Sequence, residues 1–452
     1  MPFNSLAYAF LLALSATWAR VGPRPAGMLI AASLAFYAAA GTFDTSVFLA
    51  AVVGNWLIQI SIPADRRRVI AAIVLNVGLI GYFKYRNFLL GNVGQAGSYL
   101  DTALPLGISF YSFQALAYHI DVVQSRGEPA RSFREFFLFK AFFPQLIAGP
   151  IVRAWQMLPQ IQRLFDGRPR QHRLLAFGLG IIVLGLTKKV ILADSLAPTV
   201  DDIFAARPEN AYLAWLGAVL FMFQIYFDFS GYSDIAIGSA YLIGIRLPWN
   251  FLAPYVSVTP REFWQRWHIS LSTWIRDYLY IPLGGGRGHP VRASMVLLGA
   301  MMLAGLWHGA NYTFIVWGAA WGIYVLVGRM VRPDRIPKVL AWPPHMLIVV
   351  ILWVIFRSPN LSFAMDYLKT MLTFRGGWPQ AVDDAAPAWQ VVAAVAGLFA
   401  LHWVEFRLQR PKVLFALRRL NGPVMRGLLA GLSVLLILLP TYNVNPFIYF
   451  RF

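Results

Sequence analysis

From Ala293 to Gly328 the chain carries no Asp, Glu, Lys or Arg. One bilayer crossing needs only ~20 apolar residues, so this run must be bent or doubled within a membrane. The pattern recurs along the sequence. Clear spans run from Phe3 to Ala19, Met28 to Ala40, Val47 to Ile62, Val69 to Phe83 and Leu104 to Val123. Further spans run from Leu174 to Leu192, Met346 to Phe356, Trp389 to Val404 and Val424 to Leu439. Tyr212 to Ile245 is, like Ser294 to Gly328, too long for one straight crossing and is expected to bend or double. Only 13% of residues are charged and 58% are hydrophobic, too little polar surface for a soluble fold. The expected fold is an all-α, polytopic transmembrane helical bundle forming a single domain over residues 1–452, with about eleven crossings or re-entrant elements.

Phe136 to Val152 carries Lys140, Pro144, Gly149 and Pro150 between two basic loops. Such breakers at membrane depth predict a re-entrant or broken helix lining a cavity. No basic residue precedes the first span to mark a signal peptide, so it is expected to stay in the mature chain.

The net charge of +19 is spread as short basic clusters between apolar spans. That is the distribution of cytoplasmic loops, and it argues against nucleic acid and for lipid as the surrounding partner. Clusters at Arg20 and Arg24, Arg66-Arg67-Arg68, Arg126 to Arg134, Arg153 to Arg173, Arg246 to Arg292, Arg329 to Lys338 and Arg407 to Arg419 assign one side to the cytoplasm. The poorly basic loops at Asp44, Asp194 to Glu209 and Ser358 to Ala388 fall on the other side. Both termini are then extracytoplasmic. Absence of cysteine removes thiolate catalysis, Cys-ligated zinc and disulfides. Neither H-E-x-x-H, a histidine pair at i, i+4, nor G-x-S-x-G occurs, so no metal is expected and no serine-hydrolase reading is supported.

Near the middle of the charge-free run stands His308, in Leu306-Trp307-His308-Gly309-Ala310-Asn311. A titratable ring at membrane depth is costly to keep and therefore a functional candidate. Sixteen residues of helix from Arg292 would rise about 24 Å. Gly305 and Gly309 allow close backbone approach or a bend, and Asn311 adds a second polar group. Two readings stand: a core histidine bonded to a neighbouring carbonyl, or a general base.

Pro260 to Tyr280 reads as a Trp-rich interfacial helix, with Phe263, Trp264, Trp267, Leu271 and Trp274 on one face and Arg261, Glu262, Arg266, Arg276 and Asp277 on the other. His268 falls at the border, as filler or as a reacting group. Tyr226 to Asp234 places carboxylates and hydroxyls at the expected bend of the long run. Capping, or pairing with a buried cation such as Lys188, is the structural reading. Leu283 to Pro290 lacks the Lys-Ser/Thr of a P-loop, yet its glycine amides with Arg287, His289 and Arg292 have the chemistry to hold the phosphates of an acyl-CoA. A plain turn has the same sequence.

Pro105 to Gln114, Phe143 to Pro150, Tyr226 to Asp234, Glu262 to Gly285, Leu306 to Asn311 and Phe447 to Phe452 together resemble the membrane-bound O-acyltransferase family, in its bacterial polysaccharide-acetylating branch. The resemblance implies helices around a central tunnel, His308 as the family's invariant histidine and His268 as its second. Candidate substrate-contacting residues are then Trp307, Asn311, Arg266, Ser270, Tyr232 and Asp277, with Arg287 and Arg292 toward the donor. Asn311 or His268 would donate to the developing oxyanion. Tyr312, where relatives commonly have Trp, bears on acceptor identity.

The implied activity moves an acetyl group from a cytoplasmic thioester such as acetyl-CoA, a co-substrate with no permanently bound cofactor, toward an extracytoplasmic polysaccharide such as alginate or cellulose. An esterase-like periplasmic partner and exopolysaccharide machinery are the expected partners. Peptidoglycan O-acetylation, D-alanyl transfer to teichoic acid, and a transporter or flippase are the alternatives.

Overall fold

Helices account for all regular structure in the computed structural model, which describes residues 2–92, 104–147, 149–167, 175–286, 289–332, 335–373, 388–409 and 422–439. Among these, eight helices are long and apolar enough to cross a membrane and three shorter ones are apolar. The chain is an integral membrane protein.

Its contacts gather into two compact units. The first comprises residues 1–187, 232–249 and 418–439. It contains α1 (Leu6–Val21), α2 (Pro25–Ala38), α3 (Thr42–Ser61), α4 (Arg66–Asn92), α5 (Ile108–Val123), α6 (Phe133–Ala141) and α7 (Ala154–Phe165). The start of α8 (Leu175–Ala206), the end of α9 (Ala211–Ile243) and the helix Pro423–Leu438, which packs along α8, complete it. Gly107 in the left-handed region makes α5 begin at Ile108 instead of Leu104. Between α6 and α7 the expected broken segment is present: helix stops at Ala141, and turns that are almost wholly buried lead to Ala154. Polar groups here bond internally, as lipid requires. Asn55 and Asn76 exchange amide hydrogen bonds at 3.2 and 2.8 Å, and the buried Lys140 Nζ donates to the Tyr111 carbonyl.

The second unit holds residues 188–231, 250–417 and 440–452. Among its described elements are α10 (Pro260–Arg266), α11 (Ile269–Ile275), α12 (Pro290–His308), α13 (Tyr312–Val331), α14 (Lys338–Arg357), α15 (Leu361–Leu372) and α16 (Ala388–Leu408). The charge-free run is indeed doubled, into the hairpin α12–α13. Glycine makes the hairpin possible, because a Cβ on Gly305 would sit 2.0 Å from the Phe314 carbonyl oxygen and one on Gly318 2.2 Å from that of Met301.

Three expectations need correction. Tyr212 to Ile245 is not doubled; α9 is one continuous helix of 33 residues, about 50 Å along its path. Asp194 to Glu209 is no acidic loop, since helix continues to Ala206 and Asp194 turns inward. Pro260 to Tyr280 is not one interfacial helix, for it breaks at Trp267-His268 and buries Phe263 and Trp267 completely. Asp228 does pair with a buried cation, but with Lys189 at 2.5 Å, which also holds Asp194 at 2.9 Å. Lys188 instead meets Glu405 of α16, whose other oxygen accepts the Tyr226 hydroxyl at 2.7 Å.

Candidate active site

The charge-free hairpin turns at Gly309-Ala310, so His308 is the last residue of α12 and Asn311 the N-cap of α13. His308 closes a helix of 19 residues, about 28 Å long, in keeping with the rise of about 24 Å expected from Arg292. The imidazole is 3% exposed and lies among aromatic rings: Trp307 at 5.0 Å, Phe356 at 5.2 Å and Trp317 at 5.3 Å between centroids.

His308 is not sealed. It lines a cavity of about 350 Å³ whose walls include Leu297, Ala300, Met301 and Ala304 of α12 and Ile269, Leu271 and Ile275. Ser272, Thr273, Gln265 and Tyr280 add hydroxyl and amide groups, and Arg261 and Arg276, both exposed, belong to the same lining. One lining thus includes both surface guanidinium groups and the buried ring. α10 is set by its cap, with the Thr259 hydroxyl accepting from Glu262 N at 3.0 Å and the Glu262 carboxylate accepting from Val258 N at 3.1 Å.

His268 stands at the break between α10 and α11, fully buried, with φ 41° and ψ 55°. That left-handed conformation costs a non-glycine residue of order 1–3 kcal/mol and collects at functional sites. Its ring touches Phe229 at 4.7 Å and Trp307 at 5.9 Å. Trp307 thus contacts both histidine rings. Burial pushes the His268 imidazole down to about 3, which keeps it neutral.

The other expected site residues fall as follows. Ser270 joins His268 through a shared partner, Asn250 Oδ1, which accepts the Ser270 hydroxyl at 2.9 Å. Asn311 caps α13 by accepting from Thr313 N at 3.0 Å and donates to the Pro359 carbonyl at 2.8 Å. Arg266 is engaged by Glu262, by the Leu252 carbonyl and by the Phe406 ring. Asp277 pairs with Arg276 at 2.7 Å, at the cavity lining. Tyr232 belongs to the first unit, where its ring packs on Phe3 at 5.3 Å. Arg292 is exposed with its guanidinium against Gly284, and Arg287 lies outside the described residues, as does Phe447 to Phe452. Asn250, Trp317 and Phe356 were missed by the sequence reading. For Trp317 the signal was present, nine positions after His308 in the same uncharged run.

Residues 89–362, which include both histidines, match the model of the membrane-bound O-acyltransferase family. The chain belongs to that family. It is accordingly an acyltransferase, and the transporter reading is set aside. The chain is 41% identical over 371 residues to the "Probable alginate O-acetylase AlgI" of Azotobacter vinelandii, covering 78% of this chain and 73% of that protein. It is 35% identical over 417 residues to the peptidoglycan O-acetyltransferase of Helicobacter pylori, covering 83% and 78%. Similarity extends to the teichoic acid D-alanyltransferase of Bacillus subtilis, 28% identical over 225 residues, covering 47% and 56%.

Proposed function

We propose that this acyltransferase moves an acetyl group from a cytoplasmic thioester to a hydroxyl on the far side of the bacterial inner membrane, for delivery to an exopolysaccharide such as alginate or cellulose. The carrying observation is a buried imidazole, His308, in the lining of a cavity that also includes exposed Arg261 and Arg276. Those guanidinium groups suit the phosphates of acetyl-CoA or of a carrier-bound pantetheine arm. The similarity to an alginate O-acetylase supports a polysaccharide as final acceptor. An esterase-like periplasmic partner is the intermediate acceptor in this reading.

In the transfer, the acceptor oxygen forms a bond to the thioester carbonyl carbon while its proton passes to the unprotonated nitrogen of His308. Collapse of the tetrahedral intermediate breaks the C–S bond, and His308 returns the proton to the departing sulfur. The imidazole is regenerated, and an ester and a thiol leave.

Replacing His308 with Ala, at unchanged abundance in the membrane, is expected to lower acetyl ester on the polymer by roughly 10²- to 10⁴-fold. Ester content near wild type removes the proposal. For the donor end, Arg261→Ala with Arg276→Ala should raise KM for acetyl-CoA in inverted vesicles about tenfold and leave kcat in place. An unchanged KM would show that the anionic end binds elsewhere. Similarity to the peptidoglycan O-acetyltransferase gives a second acceptor, the muramic acid hydroxyl, which muropeptide mass analysis distinguishes.

A further inference from the structure

One residue holds the strained turn at His268 from several directions. The Asn250 main-chain carbonyl accepts from Ile269 N at 2.9 Å. Its side-chain Oδ1 accepts from Ser270 N at 3.2 Å and from Ser270 Oγ at 2.9 Å, and lies 3.2 Å from His268 Nδ1. Asn250, like His268, is completely buried. A backbone N–H only donates, so the Asn250 atom facing Ser270 N is the amide oxygen, and that oxygen has no hydrogen to give. The hydrogen in the contact with His268 must therefore sit on Nδ1. A neutral ring protonated there has its lone pair on Nε2.

We propose that Asn250 is a positioning residue that locks His268 as the Nδ1–H tautomer in its left-handed turn, so that His268 meets substrate through Nε2 as a hydrogen-bond acceptor. His268 then accepts from a substrate N–H or O–H and does not donate to the oxyanion. This rests on the reading of His268 as a group that meets substrate, and goes beyond it by fixing which atom does so and which residue sets it. The assignment reverses the role that resemblance alone suggested for this histidine. Asn250 touches no reacting atom; it acts through the ring.

Two arms test it on the full-length chain in membranes. In ¹⁵N spectra of histidine-labelled protein, the His268 signals are identified by their loss in His268→Asn, a replacement that tolerates a left-handed backbone. Wild type should show a protonated Nδ1 and an imine Nε2, Asn250→Leu should lose that pattern, and Asn250→Asp, which keeps an acceptor oxygen, should retain it. The second arm measures acetyl transfer from labelled acetyl-CoA in inverted vesicles. Asn250→Leu should lower kcat about tenfold or more with KM little changed. In the His268→Asn background, Asn250→Leu should cost nothing further. Multiplying losses, or an Nδ1–H pattern that survives Asn250→Leu, overturns the proposal. Wild-type transfer in His268→Asn overturns it together with the reading beneath it. The spectra need no donor, so an enzyme inactive with acetyl-CoA leaves the first arm decisive.

Discussion

His308 and His268 differ in how they are held, and the difference predicts distinct behaviour. His308 borders a cavity, whereas His268 lies in the segment between α9 and α12 with its pKa pushed by burial from 6.5 to about 3. Between those values the unfolded chain binds a proton there and the folded chain does not, so folding stability falls as pH drops through that window. Full separation amounts to about 1.4 kcal/mol per pH unit. Thermal unfolding in detergent from pH 6.5 to 4 should therefore show wild type losing stability faster than His268→Asn. Parallel curves would mean that the ring takes up a proton in the folded state. His308 was legible in the sequence because a polar ring stands out in an uncharged run. Asn250 was not, since a single Asn next to Pro248-Trp249 carries no pattern, and its role arises only when the chain returns to place it under the turn at Ser270.

Among elements, the α12–α13 hairpin depends on backbone contact at two glycines. Gly305→Ala and Gly318→Ala each push a methyl group into a carbonyl oxygen that has no flexible side chain to yield, at a cost of about 1–3 kcal/mol. Gly299, on the same α12, has open space around its Cβ position, and Gly299→Ala should be neutral or stabilising by up to about 1 kcal/mol. Equal melting temperatures for all three would refute this account of the hairpin. The doubling itself could be read from length alone. Length misled at α9 in suggesting two helices: no proline interrupts it, and Asp228 within the polar stretch Tyr226 to Asp234 is satisfied sideways by Lys189. The Trp-rich segment misled in the opposite sense. Its amphipathic period holds through α10 and α11, yet His268 adopts a conformation that ends one helix and starts another.

At the scale of the whole chain, α12 is about as long as the hydrocarbon layer is thick, ~30 Å. Exposed Arg292 and half-exposed Tyr312 should then lie on opposite sides of the membrane. With no native cysteine, single replacements report this directly. A cysteine at Tyr312 should react with an impermeant maleimide in intact spheroplasts, and one at Arg292 only after lysis. The reverse pattern would invert the orientation and with it the side from which a thioester enters. The long apolar runs made the membrane class legible. The inward-facing charges were not, because partners such as Lys188 and Glu405 are separated by 217 positions.

That separation has a consequence for biosynthesis. At ~5–20 residues per second, roughly 10–40 s pass between synthesis of Lys188 and arrival of Glu405. During that interval an ammonium group in α8 has no carboxylate from α16 to meet, so the nascent chain must be shielded by the insertion machinery or by water until α16 is made. Truncated products ending before α16 should for that reason be conspicuous substrates for membrane proteolysis.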